Sequence, residues 1–126
     1  MKEVMAVIRM NMMNSTKRAL ADEGIYSITV KDCLGRGKGL VDLNLLRGAE
    51  QGYEEAVNQL GQTQRLIPKR LLLIVVPDKL VKKVITTITH VNHTGKSGDG
   101  KIFVMPVLDS ISVRTAGHGD AVLDLS

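Results

Sequence analysis

The chain has 126 residues, of which 44% are hydrophobic but only 2% aromatic, with a formal charge of +4 and a single cysteine. That length suits one domain whose core is built from Leu, Ile, Val, Met and Ala. An internal disulfide at Cys33 is excluded; the apolar run in the opening MKEVMAVIRM is too short for a secretory leader, and no stretch approaches the ~20 apolar residues of a membrane span. The expectation is a single cytoplasmic domain over residues 1–126, with a surplus of positive charge suited to an anionic partner.

In chain order, the compact apolar run Val4–Ile8 predicts a buried strand. NSTKRALADEG follows with Asn14 or Ser15 as N-cap and Gly24 as stop, which predicts a helix. The β-branched stretch Ile25–Val30 predicts a second strand. LLLIVV, Leu71–Val76, shows no alternation and reads as a strand covered on both faces. Pro77 and Asp78 then open a helix with Leu80, Val81, Val84, Ile85 and Ile88 on one face, and Ile102–Val107 closes the pattern. Two successive βαβ units give an α+β, ferredoxin-like βαββαβ sandwich. A C-terminal segment, about residues 109–126, has Ile111 and Val113 between polar neighbours and could add an edge strand.

Between the halves, residues 35–67 form a charged, glycine-rich connection far longer than the usual ~4–6 residues, with some helical character in YEEAVNQL. Such an insertion reads as a functional arm. GRGKG at Gly35–Gly39 and SGDGK at Ser97–Lys101 each combine glycines with cations, the composition that lets backbone amides approach a phosphate. Neither fits a standard fingerprint: the first has Leu40 where G-x-G-x-x-G needs glycine, and GKS at Gly95–Ser97 has His90 where a P-loop needs one. Each alone is also consistent with a plain turn. In a ferredoxin-like fold the two loops could meet at one end of the sheet.

The stretch TGKSGDGKIFV, Thr94–Val104, is similar over its whole length to the C-terminal signature of the PII nitrogen-signalling proteins, the GlnB/GlnK-like family. RGAE at Arg47–Glu50 resembles the centre of that family's T-loop, IPK at Ile67–Lys69 and IVVPD at Ile74–Asp78 resemble the segment leaving it, and GIYSITV at Gly24–Val30 resembles a further family stretch. The resemblance implies a non-enzymatic sensor that binds ATP or ADP between neighbouring subunits, with Mg held through the nucleotide and 2-oxoglutarate as effector. It implies a homotrimer, or a hetero-oligomer with a paralogous PII chain, whose T-loop docks on a target. Carried over by position, Gly35, Arg36, Gly98, Asp99, Gly100, Lys101 and Arg114 meet the phosphates, Thr29 and Val75 the adenine, and Thr94 the pocket edge. Gly37, Lys38 and Lys69 fall at the 2-oxoglutarate site, and Arg47, Gly48, Ala49, Glu50 and Tyr53 in the docking loop.

The sequence departs from the common family at four places. Gly37 stands where a metal-holding glutamine is usual, Ser112 where a second arginine is usual, and Gln51 where a modified tyrosine follows the glutamate, with Tyr53 two residues on; the loop is also extended between Glu50 and Leu66. An altered, lengthened loop resembles the nitrogen-fixation-linked branch, the NifI type, and its second member, which implies the dinitrogenase component as target and switch-off when ammonium is plentiful. A general PII regulator of ammonium transport or glutamine synthetase is the alternative. An RNA-binding domain shares the topology but needs aromatic platforms, and Phe103 alone is placed for one. His90, His93, His118 and Cys33 lack metal-ligand spacing, and the six methionines read as core filling.

Overall fold

A computed structural model describes residues 1–37 and 65–124. Strand β1 (Lys2–Arg9) runs through a short 3-10 turn at Met10–Met12 into helix α1 (Met13–Asp22). β2 (Thr29–Gly35) and β3 (Ile67–Val76) follow, then α2 (Val81–Asn92), preceded by a 3-10 turn at Asp78–Leu80, and β4 (Gly100–Pro106). The strands form one antiparallel sheet in the order β2-β3-β1-β4. This is the ferredoxin-like α+β arrangement expected from the two βαβ units.

Helix α1 does not begin at an Asn14 or Ser15 cap. It starts at Met13 as a continuation of the preceding turn, and no side chain bonds its cap; the Thr16 hydroxyl instead donates back to the Met12 carbonyl at 2.7 Å. Its far end matches the expectation. Gly24 sits at φ +82°, its amide bonds to Ala21 O at 2.9 Å and the Ile25 amide to Leu20 O at 2.9 Å, the double closure of a Schellman motif.

That closure explains a shift in β2. The stretch Ile25–Val30 has strand-like composition, yet pairing begins only at Thr29 and continues to Gly35. Ile25 is committed to the core as the apolar residue after the Schellman glycine, so the chain must cross from helix to sheet before it can pair. β3 likewise starts earlier than its apolar run, at Ile67, because the polar half Ile67–Arg70 pairs with the end of β2.

The core lies between the sheet and the two helices. Val4, Ala6 and Ile8 of β1, Leu72, Ile74 and Val76 of β3, Leu20 of α1 and Val84 and Ile88 of α2 are buried, with Leu80, Val81 and Ile85 packed beside them. A buried polar contact joins the helices: Asn92 of α2 donates to the Thr16 hydroxyl of α1 at 3.0 Å, and to Ile88 O of its own helix at 2.9 Å. Neither α1 nor α2 covers the sheet's other face. Register puts Met5, Val7, Leu71, Leu73, Val75 and Phe103 there, so among the described residues the unbroken LLLIVV run packs against helices on one face only. The C-terminal segment adds no fifth strand; Pro106 ends β4, and residues 110–119 fold into their own hairpin through a lone Ile111–His118 bridge.

Ile74 is fully buried on a strand paired on both sides, so Ile74→Ala should lower unfolding free energy by about 2–5 kcal/mol, measured by urea denaturation.

Candidate functional site

The open face of the sheet changes character at one end. Antiparallel register aligns Arg9 with Lys69 and Val7 with Lys101, while Ile8 meets Gly100 and Gly35 meets Ile67. Side chains two apart share a face, so Arg9, Lys69 and Lys101 follow Met5, Leu71 and Phe103 on the side turned away from α1 and α2. A cleft of about 300 Å³ opens there, lined by Val7, Gly35, Arg36, Gly37, Lys69, Gly98, Gly100 and Lys101. The two glycine loops, some sixty residues apart in sequence, therefore share one cavity. Among the described residues three cations and glycine backbone line it and no carboxylate does, which favours an anion with several oxygens.

The second loop is held in shape by its own aspartate. The Asp99 carboxylate accepts from the Thr94 hydroxyl, from the Thr94 amide at 2.8 Å and from the Gly95 amide at 3.0 Å. Arg9 adds a guanidinium bond to the same group at 2.7 Å. These bonds, the Thr94 hydroxyl foremost, hold the Asp99 carboxyl well below the usual carboxylate range, against the opposing effect of desolvation. Gly98 and Gly100 adopt φ of +95° and +124°. At Gly100 the requirement is absolute, because a Cβ would lie 2.2 Å from the Val7 carbonyl oxygen. β4 enters the sheet by passing its bare backbone against β1.

The residues named from the sequence divide into four groups. Gly35, Arg36, Gly37, Lys69, Gly98, Gly100 and Lys101 come together in the cleft. Thr94 and Asp99 lie beside it with their polar atoms turned into the loop, so Asp99 acts on the loop's shape. Thr29, Val75 and Arg114 are elsewhere. Thr29 and Lys101 belong to opposite edge strands, three strand spacings or about 14 Å apart across the sheet. Val75 borders a different hollow beside Gly24, Pro77 and Asp120, and Arg114 is exposed on the C-terminal hairpin. Lys38, Arg47, Gly48, Ala49, Glu50 and Tyr53 lie outside the described residues.

Sequence reasoning missed Arg9. Its alternation with Met5 and Val7 marks it as open-face, but only register shows that it stands beside Lys69 and under the second loop. Among the described residues no three His, Cys, Asp or Glu side chains gather to hold a metal, and no helix is long and apolar enough to cross a membrane. Phe103 is exposed on the open face of β4.

The fold and site define an α+β domain of ferredoxin-like topology with a cation- and glycine-lined cleft at one end of its sheet. The family model for nitrogen regulatory protein P-II matches residues 1–117, and the chain belongs to that family of nitrogen regulators. Within it, the chain is 42% identical over 123 residues to nitrogen fixation nifHD region glnB-like protein 2 of Methanococcus maripaludis, a match covering 98% of this chain and all of that protein. It is 36% identical over 123 residues to nitrogen regulatory protein P-II 1 of Escherichia coli, again covering 98% of this chain and all of the relative. The crystal structure of Arabidopsis thaliana PII bound to citrate matches with a TM-score of 0.74 at 30% identity, covering 99% of this chain and 91% of that one.

Two outcomes follow from the loop geometry. Gly100→Ala should destabilise the fold by roughly 2–4 kcal/mol in a thermal or denaturant melt, since both clash and left-handed backbone oppose it. Asp99 has a depressed folded-state pKa, so its contribution is complete above its unfolded value of about 4 and fades as pH falls further. The stability gap between the parent and Asp99→Asn should accordingly be constant near neutrality and shrink below about pH 4, read by denaturation across pH.

Proposed function

We propose that the chain is a non-enzymatic sensor that binds ATP or ADP with its phosphates in the shared cleft, responds to 2-oxoglutarate, and reports both through the arm that follows Gly35. The observation that carries this reading is the convergence of Gly35, Arg36 and Gly37 with Gly98, Gly100 and Lys101 on one cavity that Lys69 also lines. Lysine offers a point charge and arginine a bidentate fork to phosphate oxygens, and glycine backbone lets both loops approach. Gly37 places no side chain in the cleft, and the Asp99 oxygens are engaged by Thr94, Gly95 and Arg9. The cleft therefore fits a Mg ion carried by nucleotide phosphates and water, the mode this ion favours, and supplies the cations that offset the remaining phosphate charge.

Lys69 lines the cleft with its ammonium 3.2 Å from Gly98 O, within reach of a small carboxylate effector. That a PII of Arabidopsis thaliana is described bound to citrate supports a carboxylate ligand in this family. Coupling of about 1–3 kcal/mol between such ligands and the arm is enough for a switch.

The reading extends to assembly and target. The apolar sheet face turned away from α1 and α2 suits burial against further copies or a paralogous PII chain, in a homotrimer or hetero-oligomer. Thr29, Val75 and Arg114 stand away from their own chain's cleft, so a pocket completed by a neighbour would use them for the adenine and an outer phosphate. Similarity to nifHD-region relatives favours the dinitrogenase component as target and nitrogenase switch-off as outcome, acting through the loop that contains Arg47–Glu50 and Tyr53. A cytoplasmic site of action accompanies that target.

Calorimetry with ATP, ADP and 2-oxoglutarate, beside a hydrolysis assay, tests the core of this reading. Lys101→Ala and Arg36→Ala should each weaken ATP by roughly 10–100-fold while subunit assembly is unchanged by size-exclusion chromatography with light scattering. Unaltered ATP affinity in both variants would refute the pocket.

A further inference from the structure

The turn that walls the cleft is built in two stages. Locally, Asp99 ties down Thr94 and Gly95, no more than five residues away. Such bonds shape the turn but leave its position against the sheet unset. Two strand side chains set it. Arg9 reaches across 90 residues to the Asp99 carboxylate at 2.7 Å and across 88 to the Ser97 carbonyl at 3.0 Å. Its register partner Lys69 donates to the Gly98 carbonyl at 3.2 Å.

Arg9 is not itself part of the cleft wall; it lines an adjoining hollow with Met10, Asn11 and Pro68. Its side chain and that of Asp99 are only 26% and 24% exposed, so the pair is partly shielded from water and firmer than an open surface pair. The guanidinium fork is what allows a carboxylate and a carbonyl to be held together; an ammonium offers no such fixed pair. Because a trans peptide carries its C=O and N–H on opposite sides, anchoring the Ser97 carbonyl to Arg9 also fixes which way the Gly98 amide faces.

We propose that Arg9, acting through Asp99 and Ser97, is a positioning residue that sets the glycine turn against β1 and so places Gly98, Gly100 and Lys101 for a polyphosphate. The proposal rests on the polyphosphate reading above and deepens it. Arg9 shapes the site without contributing its charge to the phosphates. Losing it therefore affects every ligand bound through phosphate equally, whatever base is attached.

The test uses the full chain. ATP and inorganic triphosphate are titrated calorimetrically into the parent, Arg9→Gln, Arg9→Lys, Asp99→Asn, the Arg9→Gln/Asp99→Asn double variant and Lys101→Ala, and amide exchange over residues 94–100 is followed in the ligand-free proteins. Arg9→Gln should weaken both compounds by the same factor, roughly tenfold, and speed exchange at Thr94 and Gly95. Arg9→Lys should recover part of each effect, and the Arg9→Gln/Asp99→Asn double variant should be no weaker than its worse single. Lys101→Ala should weaken binding with loop exchange unchanged. Arg9→Gln with parental affinity, or with lowered affinity and parental exchange, would overturn the positioning role, the second result marking direct ligand contact. Should Asp99→Asn fail to fold, the Arg9 pair of variants carries the test. A parent that binds neither compound would overturn the functional reading itself, and the proposal with it.

Discussion

β1 is paired on both sides, and its two registers place nearly every charged group of the site. Against β3 it brings Arg9 beside Lys69; against β4 it brings Val7 beside Lys101 and Ile8 beside Gly100. A slip of one residue in either pairing would turn the cations of that strand toward the helices and the buried aliphatics toward solvent. The register is therefore defended by the core: Val4, Ala6 and Ile8 must face α1 and α2. It is also defended by Gly100, whose backbone lies where any side chain would strike the Val7 carbonyl.

Core and site are thus two faces of one pattern. The alternation that buries Leu72, Ile74 and Val76 leaves Lys69, Leu71, Leu73 and Val75 on the open side. Along that side the apolar character gives way to positive charge near the glycine loops. The apolar part suits contact with another chain and the cationic end suits an anion, so association and ligand binding would draw on adjacent parts of one surface. In such a design a ligand at the cleft lies close to both the stem of the arm, Gly35–Gly37, and the chain's open face.

The lone aspartate between the glycines has a different part from its neighbours. The family resemblance assigns Asp99 to the phosphates together with Gly98, Gly100 and Lys101. In the folded chain the glycines and Lys101 do line the cleft, whereas Asp99 spends its oxygens on Thr94, Gly95 and Arg9. A carboxylate facing phosphates would oppose binding; one turned inward gives the loop its shape and leaves the cleft cationic.

Much of this was legible in the chain itself. Compact apolar and β-branched runs marked the strands, a one-sided apolar face marked α2, Gly24 marked the end of α1, and TGKSGDGKIFV carried the family, because such signals depend on neighbours within a few residues. Strand limits were less legible: Ile25 has strand-like chemistry but is drawn into the core, and Ile67–Arg70 has weak strand chemistry but is paired by β2. Arg9 could not be found by reading along the chain, since its partners lie 88 and 90 positions away and only pairing brings them near. Local chemistry determined the elements and the glycine loops. Which loops meet, which cations stand together and which way Asp99 points were decided by long-range register, a property that no short stretch of sequence contains.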